Sequence, residues 1–127
     1  MKRAWILVGC ALVLSLIATS PAAAYSANFC GKCDTTSGGA LQCSFTPTVS
    51  CAPSTLWKIT WGYGDGSSTT TANTTPVGHT YNAPLAGGYS VQMTVVCQDG
   101  TIIDVTRWLC VGSCVPGGIV PDTGTCN

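Results

Sequence analysis

The chain has 127 residues, of which 8% are charged, with five Lys or Arg, five Asp and no Glu. That balance, with no basic run beyond Lys2-Arg3, excludes a dedicated surface for nucleic acid or for an anionic membrane. The length suits one domain with one core.

The first 24 residues read as a secretory signal peptide. Met1-Lys2-Arg3 is basic, residues 4–18 are apolar, and Ala22-Ala23-Ala24 offers a small-residue cleavage site. The apolar run is shorter than the ~20 residues a spanning helix needs, so no membrane span is expected after cleavage. Two rival readings are an uncleaved anchor and lipidation at Cys10, which ends Leu7-Val8-Gly9-Cys10.

Cleavage before Tyr25 removes Cys10 and leaves Cys30, Cys33, Cys43, Cys51, Cys97, Cys110, Cys114 and Cys126. An even set behind a signal peptide implies disulfides in an oxidising compartment, hence a secreted, extracellular or cell-envelope chain. Zinc is the competing reading, from Cys30-x-x-Cys33 with Cys110-x3-Cys114. No helix start or cationic cluster follows Cys30-x-x-Cys33 to lower a thiol pKa, so a redox motif is disfavoured.

Residues 25–40 are polar, hold two cysteines and read as an irregular N-terminal arm with at most a short first strand. Residues 41–46 alternate, with Leu41, Cys43 and Phe45 on one side, which predicts a half-buried strand. Two prolines and Cys51 make residues 47–54 a loop. In residues 56–63, Trp57, Ile59, Trp61 and Tyr63 share one face by parity, so all four are expected to be buried. Gly64-Asp65-Gly66 ends that strand in a turn, since Gly accepts positive φ and Asp bonds to its own backbone.

Residues 67–78 are rich in Thr, Ser and Asn and permit a short edge strand. In residues 89–97, Tyr89, Val91, Met93, Val95 and Cys97 alternate inward. Gln98-Asp99-Gly100 turns the chain, and residues 101–111 return as the last strand. Residues 112–127 form a Pro/Gly-rich tail containing Cys114 and Cys126. No window outside the leader has helical periodicity. Short strands separated by turn signals predict an all-β sandwich.

Three segments together carry a resemblance. Trp61-Gly62-Tyr63-Gly64-Asp65-Gly66, then His79-Thr80-Tyr81, then Gly88-Tyr89-Ser90-Val91-Gln92-Met93-Thr94-Val95 resemble the motifs of the polycystic kidney disease (PKD) domain family, W-D-F-G-D-G, H-T-Y and G-x-Y-x-V-x-L-x-V. The likeness spans residues 41–111 and leaves the two arms unaccounted for. It implies an immunoglobulin-like antiparallel β-sandwich of about seven strands, used outside the cell for binding or spacing. Gly62 stands where the family has its first Asp, so no contact from that carboxylate is expected here.

On this resemblance Trp61, Tyr63, Gly64, Asp65, Gly66, His79, Tyr81 and Tyr89 are structural. Asp65 alone is a poor ligand for calcium, which takes 6–8 oxygens. His79 is the only histidine, and no nucleophile with an orienting acid can be named beside it from sequence. The sandwich topology implies Cys51–Cys97 and Cys43–Cys110, leaving Cys30, Cys33, Cys114 and Cys126 to tie the arms. Trp108, if exposed, is the best contact for a sugar or protein; if covered, it shields the disulfide-rich end. Asn73-Thr74-Thr75 matches a glycosylation sequon.

No catalytic motif, cofactor site or phosphate-binding loop is present in the sequence. The expected function is a secreted, non-catalytic module that binds an extracellular protein or glycan or acts as a spacer. The alternative is a cysteine-stapled effector such as a protease inhibitor.

Overall fold

A computed structural model describes residues 20–85 and 87–109. Seven strands account for most of them: β1 (Ala24–Thr35), β2 (Leu41–Ala52), β3 (Leu56–Gly62), β4 (Ser68–Thr71), β5 (Val77–Tyr81), β6 (Tyr89–Cys97) and β7 (Ile102–Leu109). They form two antiparallel sheets, ordered β1-β2-β5 and β4-β3-β6-β7. This is the expected all-β sandwich.

The core lies between the sheets. Phe29 of β1 meets Trp61 of β3 edge-on at 5.2 Å between ring centroids, and Phe45 of β2 lies 6.0 Å from Trp61 and 5.8 Å from Tyr63. Aromatic pairs at such spacings add to the burial of their apolar surface. In β6 the alternation holds in full: Tyr89, Val91, Met93, Val95 and Cys97 are all buried. The turn after β6 forms at Asp99-Gly100, where Gly100 N–H donates to the Cys97 carbonyl at 3.0 Å and Thr101 N–H to Asp99 Oδ1 at 3.0 Å.

Four expectations need correction. The N-terminal arm is no irregular segment: residues 24–35 pair with β2 over their whole length, from Ala24↔Ala52 to Thr35↔Leu41. Its polar composition hid a strand because only Phe29 is fully buried along it.

Residues 47–52 likewise continue β2 instead of forming a loop. Pro47 is tolerated there because β5 ends at the Phe45↔Val77 pair, so nothing beyond it asks Pro47 for an N–H.

The third correction concerns Trp57, which is exposed. Leu56 pairs with Cys97 and Lys58 with Val96, so one extra residue sits in β3 at this point. Such a bulge breaks the two-residue period, and parity counted back from Trp61 fails on its far side.

Two disulfides join described residues. Cys51–Cys97 links β2 of one sheet to β6 of the other. Cys33–Cys43 links adjacent strands, where the two residues are direct cross-strand partners. Cys43 is therefore not bonded to Cys110, as the arm's strand places Cys33 opposite it. Cys30 is also disulfide-bonded. Cys10, Cys110, Cys114 and Cys126 lie outside the described residues, as do all of residues 1–19. Among the described residues no helix is long and apolar enough to cross a membrane.

Candidate functional site

The turn after β3 builds a polar cluster at one end of the sandwich. Gly64 and Gly66 both have positive φ, +82° and +91°. Between them, Asp65 Oδ1 accepts the Ser67 backbone N–H at 3.0 Å and the Ser67 hydroxyl at 2.5 Å. Tyr63 N–H donates to the Ser67 carbonyl at 3.1 Å and closes the turn.

From the other sheet, His79 of β5 reaches into this turn. Its ring lies parallel to Tyr63 at 4.0 Å and edge-on to Tyr81 at 4.6 Å. Its Nε2 is 2.7 Å from Asp65 Oδ2 and 3.4 Å from Ser67 Oγ. Sequence reading found no hydroxyl and acid beside His79, yet the fold brings both. The available signal was parity: Val77, His79 and Tyr81 share a face, and the flanking pair is buried.

The cluster has the composition of a nucleophile, base and acid, but not their wiring. A hydrolytic triad uses both imidazole nitrogens, one toward the acid and one toward the hydroxyl. Here Nε2 alone faces both partners, and it donates its proton to the closer Asp65 oxygen. The Ser67 hydroxyl gives its own proton to Asp65. Nε2 therefore offers no lone pair to Ser67, and the Asp65–His79 contact ties the two sheets together.

Burial raises the Asp65 pKa, but the bonds from the Ser67 hydroxyl, His79 and the Ser67 amide outweigh it and lower the pKa from 3.8 to about 2. A folded pKa below the unfolded one gives stability present above pH ~4 and lost as the pH falls toward 2. The Asp65 side chain is partly solvated, so screening reduces its worth to about 1 kcal/mol. Urea melts of wild type and Asp65→Asn are expected to differ by this amount at pH 7 and to converge between pH 4 and pH 2. A constant gap across that range would reject the linkage.

Behind the cluster stands a second tyrosine pair. Tyr81 donates its hydroxyl to the Tyr63 carbonyl at 2.8 Å, and burial pushes its pKa well above the ordinary tyrosine range. Tyr81 stacks on Tyr89 at 4.1 Å, and the Tyr89 hydroxyl accepts the Leu85 N–H at 2.8 Å. The Tyr63 hydroxyl and the Trp61 indole N–H are buried with no hydrogen-bond partner among the described residues. Tyr81→Phe should therefore cost about 1 kcal/mol, whereas Tyr63→Phe should be neutral or slightly stabilising. Thermal melts of the two variants check this order.

Two surfaces remain. On the outer face of the larger sheet, Ser90 is opposite Trp108, Gln92 opposite Thr106, and Thr94 opposite Asp104, whose carboxylate accepts the Thr94 hydroxyl at 2.5 Å. Trp108 is 50% exposed on this face and Trp57 52% exposed near the bulge of β3. Lys58 Nζ lies 4.6 Å from the Trp57 ring centroid. Gly62 also lies on this face, and a Cβ added there would meet nothing within 4 Å. On the smaller sheet, a recess of about 240 Å³ is lined by Lys32, Asp34, Gln42, Cys43, Ser44 and Gly78. Among the described residues no group of three or more His, Cys, Asp or Glu is placed to hold a metal ion.

The family model of the PKD domain matches residues 27–107. The chain belongs to the PKD domain family. The match begins inside β1 and ends inside β7, so the first strand is part of the PKD domain and not an appendage to it. PKD domains are generally non-catalytic immunoglobulin-like modules, and they are typically extracellular. No match was found among curated proteins or among solved structures.

Proposed function

We propose that this PKD domain is a secreted, non-catalytic recognition module whose contact surface is the outer face of the β4-β3-β6-β7 sheet. The observation that carries the reading is Trp108, half-exposed on a strand face whose neighbours are hydroxyl, amide and carboxylate side chains. Trp is enriched among the residues that dominate binding energy at interfaces, because it buries a large rigid surface with a polar N–H at its rim. An indole face can cover the C–H face of a sugar ring, while Ser90, Gln92, Thr94, Asp104 and Thr106 offer donors and acceptors to its hydroxyls. The same surface could serve a protein partner through the indole alone. The polar row favours a glycan.

The test is titration of soluble oligosaccharides from extracellular matrices and cell envelopes, followed by intrinsic Trp fluorescence. Binding is expected to weaken at least tenfold in Trp108→Ala with the thermal midpoint unchanged. Stoichiometric inhibition of a secreted protease, with no glycan response, would support the stapled-effector reading instead.

A further inference from the structure

The smaller sheet ends in β1, a 12-residue strand with a partner on only one side among the described residues. Edges of this kind are usually protected by charge, proline or cover, because unpaired N–H and C=O groups template further pairing. β1 contains no proline.

The Cys33↔Cys43 pair has a Cα–Cα distance of 4.0 Å, which marks the narrow, non-hydrogen-bonded kind of antiparallel pair. The N–H and C=O of Cys33 therefore point away from β2, toward the open edge. By alternation the same holds for Phe29, Gly31 and Thr35. The Phe29 N–H is taken by Asn28 Oδ1 at 2.8 Å, and Asn28 is also held by Arg107 of β7, so the edge is capped at Phe29. No hydrogen bond caps the edge groups of Gly31, Cys33 or Thr35 among the described residues.

The two charges of β1 lie in this uncapped stretch, both exposed on the outer face: Lys32 and Asp34. They flank Cys33 with opposite signs. A twofold axis beside Cys33 at the open edge, perpendicular to the sheet, would pair β1 with β1 of a second copy. Cys33 would oppose Cys33, and Gly31 would oppose Thr35, each as a hydrogen-bonded pair. Lys32 would then oppose Asp34 of the other copy, and Asp34 its Lys32, at narrow pairs where side chains approach most closely. The other edges lack this symmetry. β4 and β5 are short, and the Asp104 and Arg107 of β7 stand on opposite faces, so twofold pairing cannot join them.

We infer that the uncapped stretch of β1, residues 31–35, is a self-complementary docking edge through which two copies join their smaller sheets into one continuous sheet. The interface is isologous, so both ion pairs form together or not at all. It leaves the Trp108 face of each copy free.

Sedimentation equilibrium of the disulfide-bonded protein across a concentration series tests this directly. The weight-average mass is expected to rise toward twice the monomer mass. K32D places Asp opposite Asp at both pairs and should weaken association at least tenfold; D34K should do the same with Lys. The double swap K32D/D34K restores opposite charges across the axis and should restore the dimer. Amide exchange of Gly31, Cys33 and Thr35 should slow with concentration. A monomeric mass throughout, full association in K32D, no rescue in the double swap, or protection arising elsewhere would each overturn the assignment.

Discussion

Replacing Cys51 and Cys97 together by alanine is expected to lower the folding stability by about 4 kcal/mol. The bridge closes a loop of 46 residues, and loop-closure entropy alone gives that figure at 25 °C. A domain of this size has only ~5–15 kcal/mol in total, so the variant should sit near its folding threshold. The bridge is also the covalent tie between the two sheets, joining β2 to β6, and both sulfurs are buried. Cys33–Cys43 provides the comparison. It spans 10 residues within one sheet, and the same reasoning assigns it about 1.4 kcal/mol less. Urea unfolding of the two double-alanine variants checks both the size and the order. The Cys51/Cys97 variant should also show the larger increase in m, because its unfolded chain is released over a longer span. Equal losses in the two variants would mean that loop closure does not govern their worth.

The contrast between these bridges shows where sequence reading succeeds. Cys51 and Cys97 flank the turns at one end of the sandwich, so topology alone brings them together. Cys33 was out of reach by the same route. Its partner depends on β1 being a strand in register with β2, and β1 shows almost no alternation because its outer edge and most of its faces are solvated. Trp57 failed for another reason: a single inserted residue inverts every parity argument made across it. The cluster of Asp65, Ser67 and His79 was half legible. Asp65-Gly66-Ser67 announces a turn in which the carboxylate bonds forward, and the spacing of Val77, His79 and Tyr81 puts the imidazole inward. That the two meet is a property of the sheet-to-sheet packing, which no local pattern encodes. The motif residues themselves were the most legible, because Trp61, Tyr63 and Tyr89 are large, buried and spaced by the strand period.

Gly64→Ala is expected to cost more than about 3 kcal/mol, for two separable reasons. At φ +82° an L-residue pays roughly 1–2 kcal/mol for the clash of its Cβ with its own carbonyl. The added Cβ would also lie 2.6 Å from the Ser90 carbonyl oxygen and 3.0 Å from the Ser90 nitrogen. Those are backbone atoms of β6, where Ser90 is paired with Trp108 of β7, and they cannot swing aside as a flexible side chain would. Losses of this size are uncommon for a single methyl group and point to a specific steric cause. Two neighbouring glycines isolate it. Gly66 has φ +91° but open space around its would-be Cβ, so Gly66→Ala should show the conformational cost alone, about 1–2 kcal/mol. Gly62 has neither constraint, and Gly62→Ala should be neutral or stabilising by up to about 1 kcal/mol, since alanine loses less backbone entropy on entering a strand. Ser90 stands opposite Trp108, so a displaced Ser90 should also weaken the proposed glycan binding in Gly64→Ala and leave it intact in the other two. Chemical denaturation of the three variants, beside the fluorescence titration, reads both effects. If Gly64→Ala costs no more than Gly66→Ala, the close approach of the turn to β6 has no energetic weight, and the turn does not position the Trp108 face.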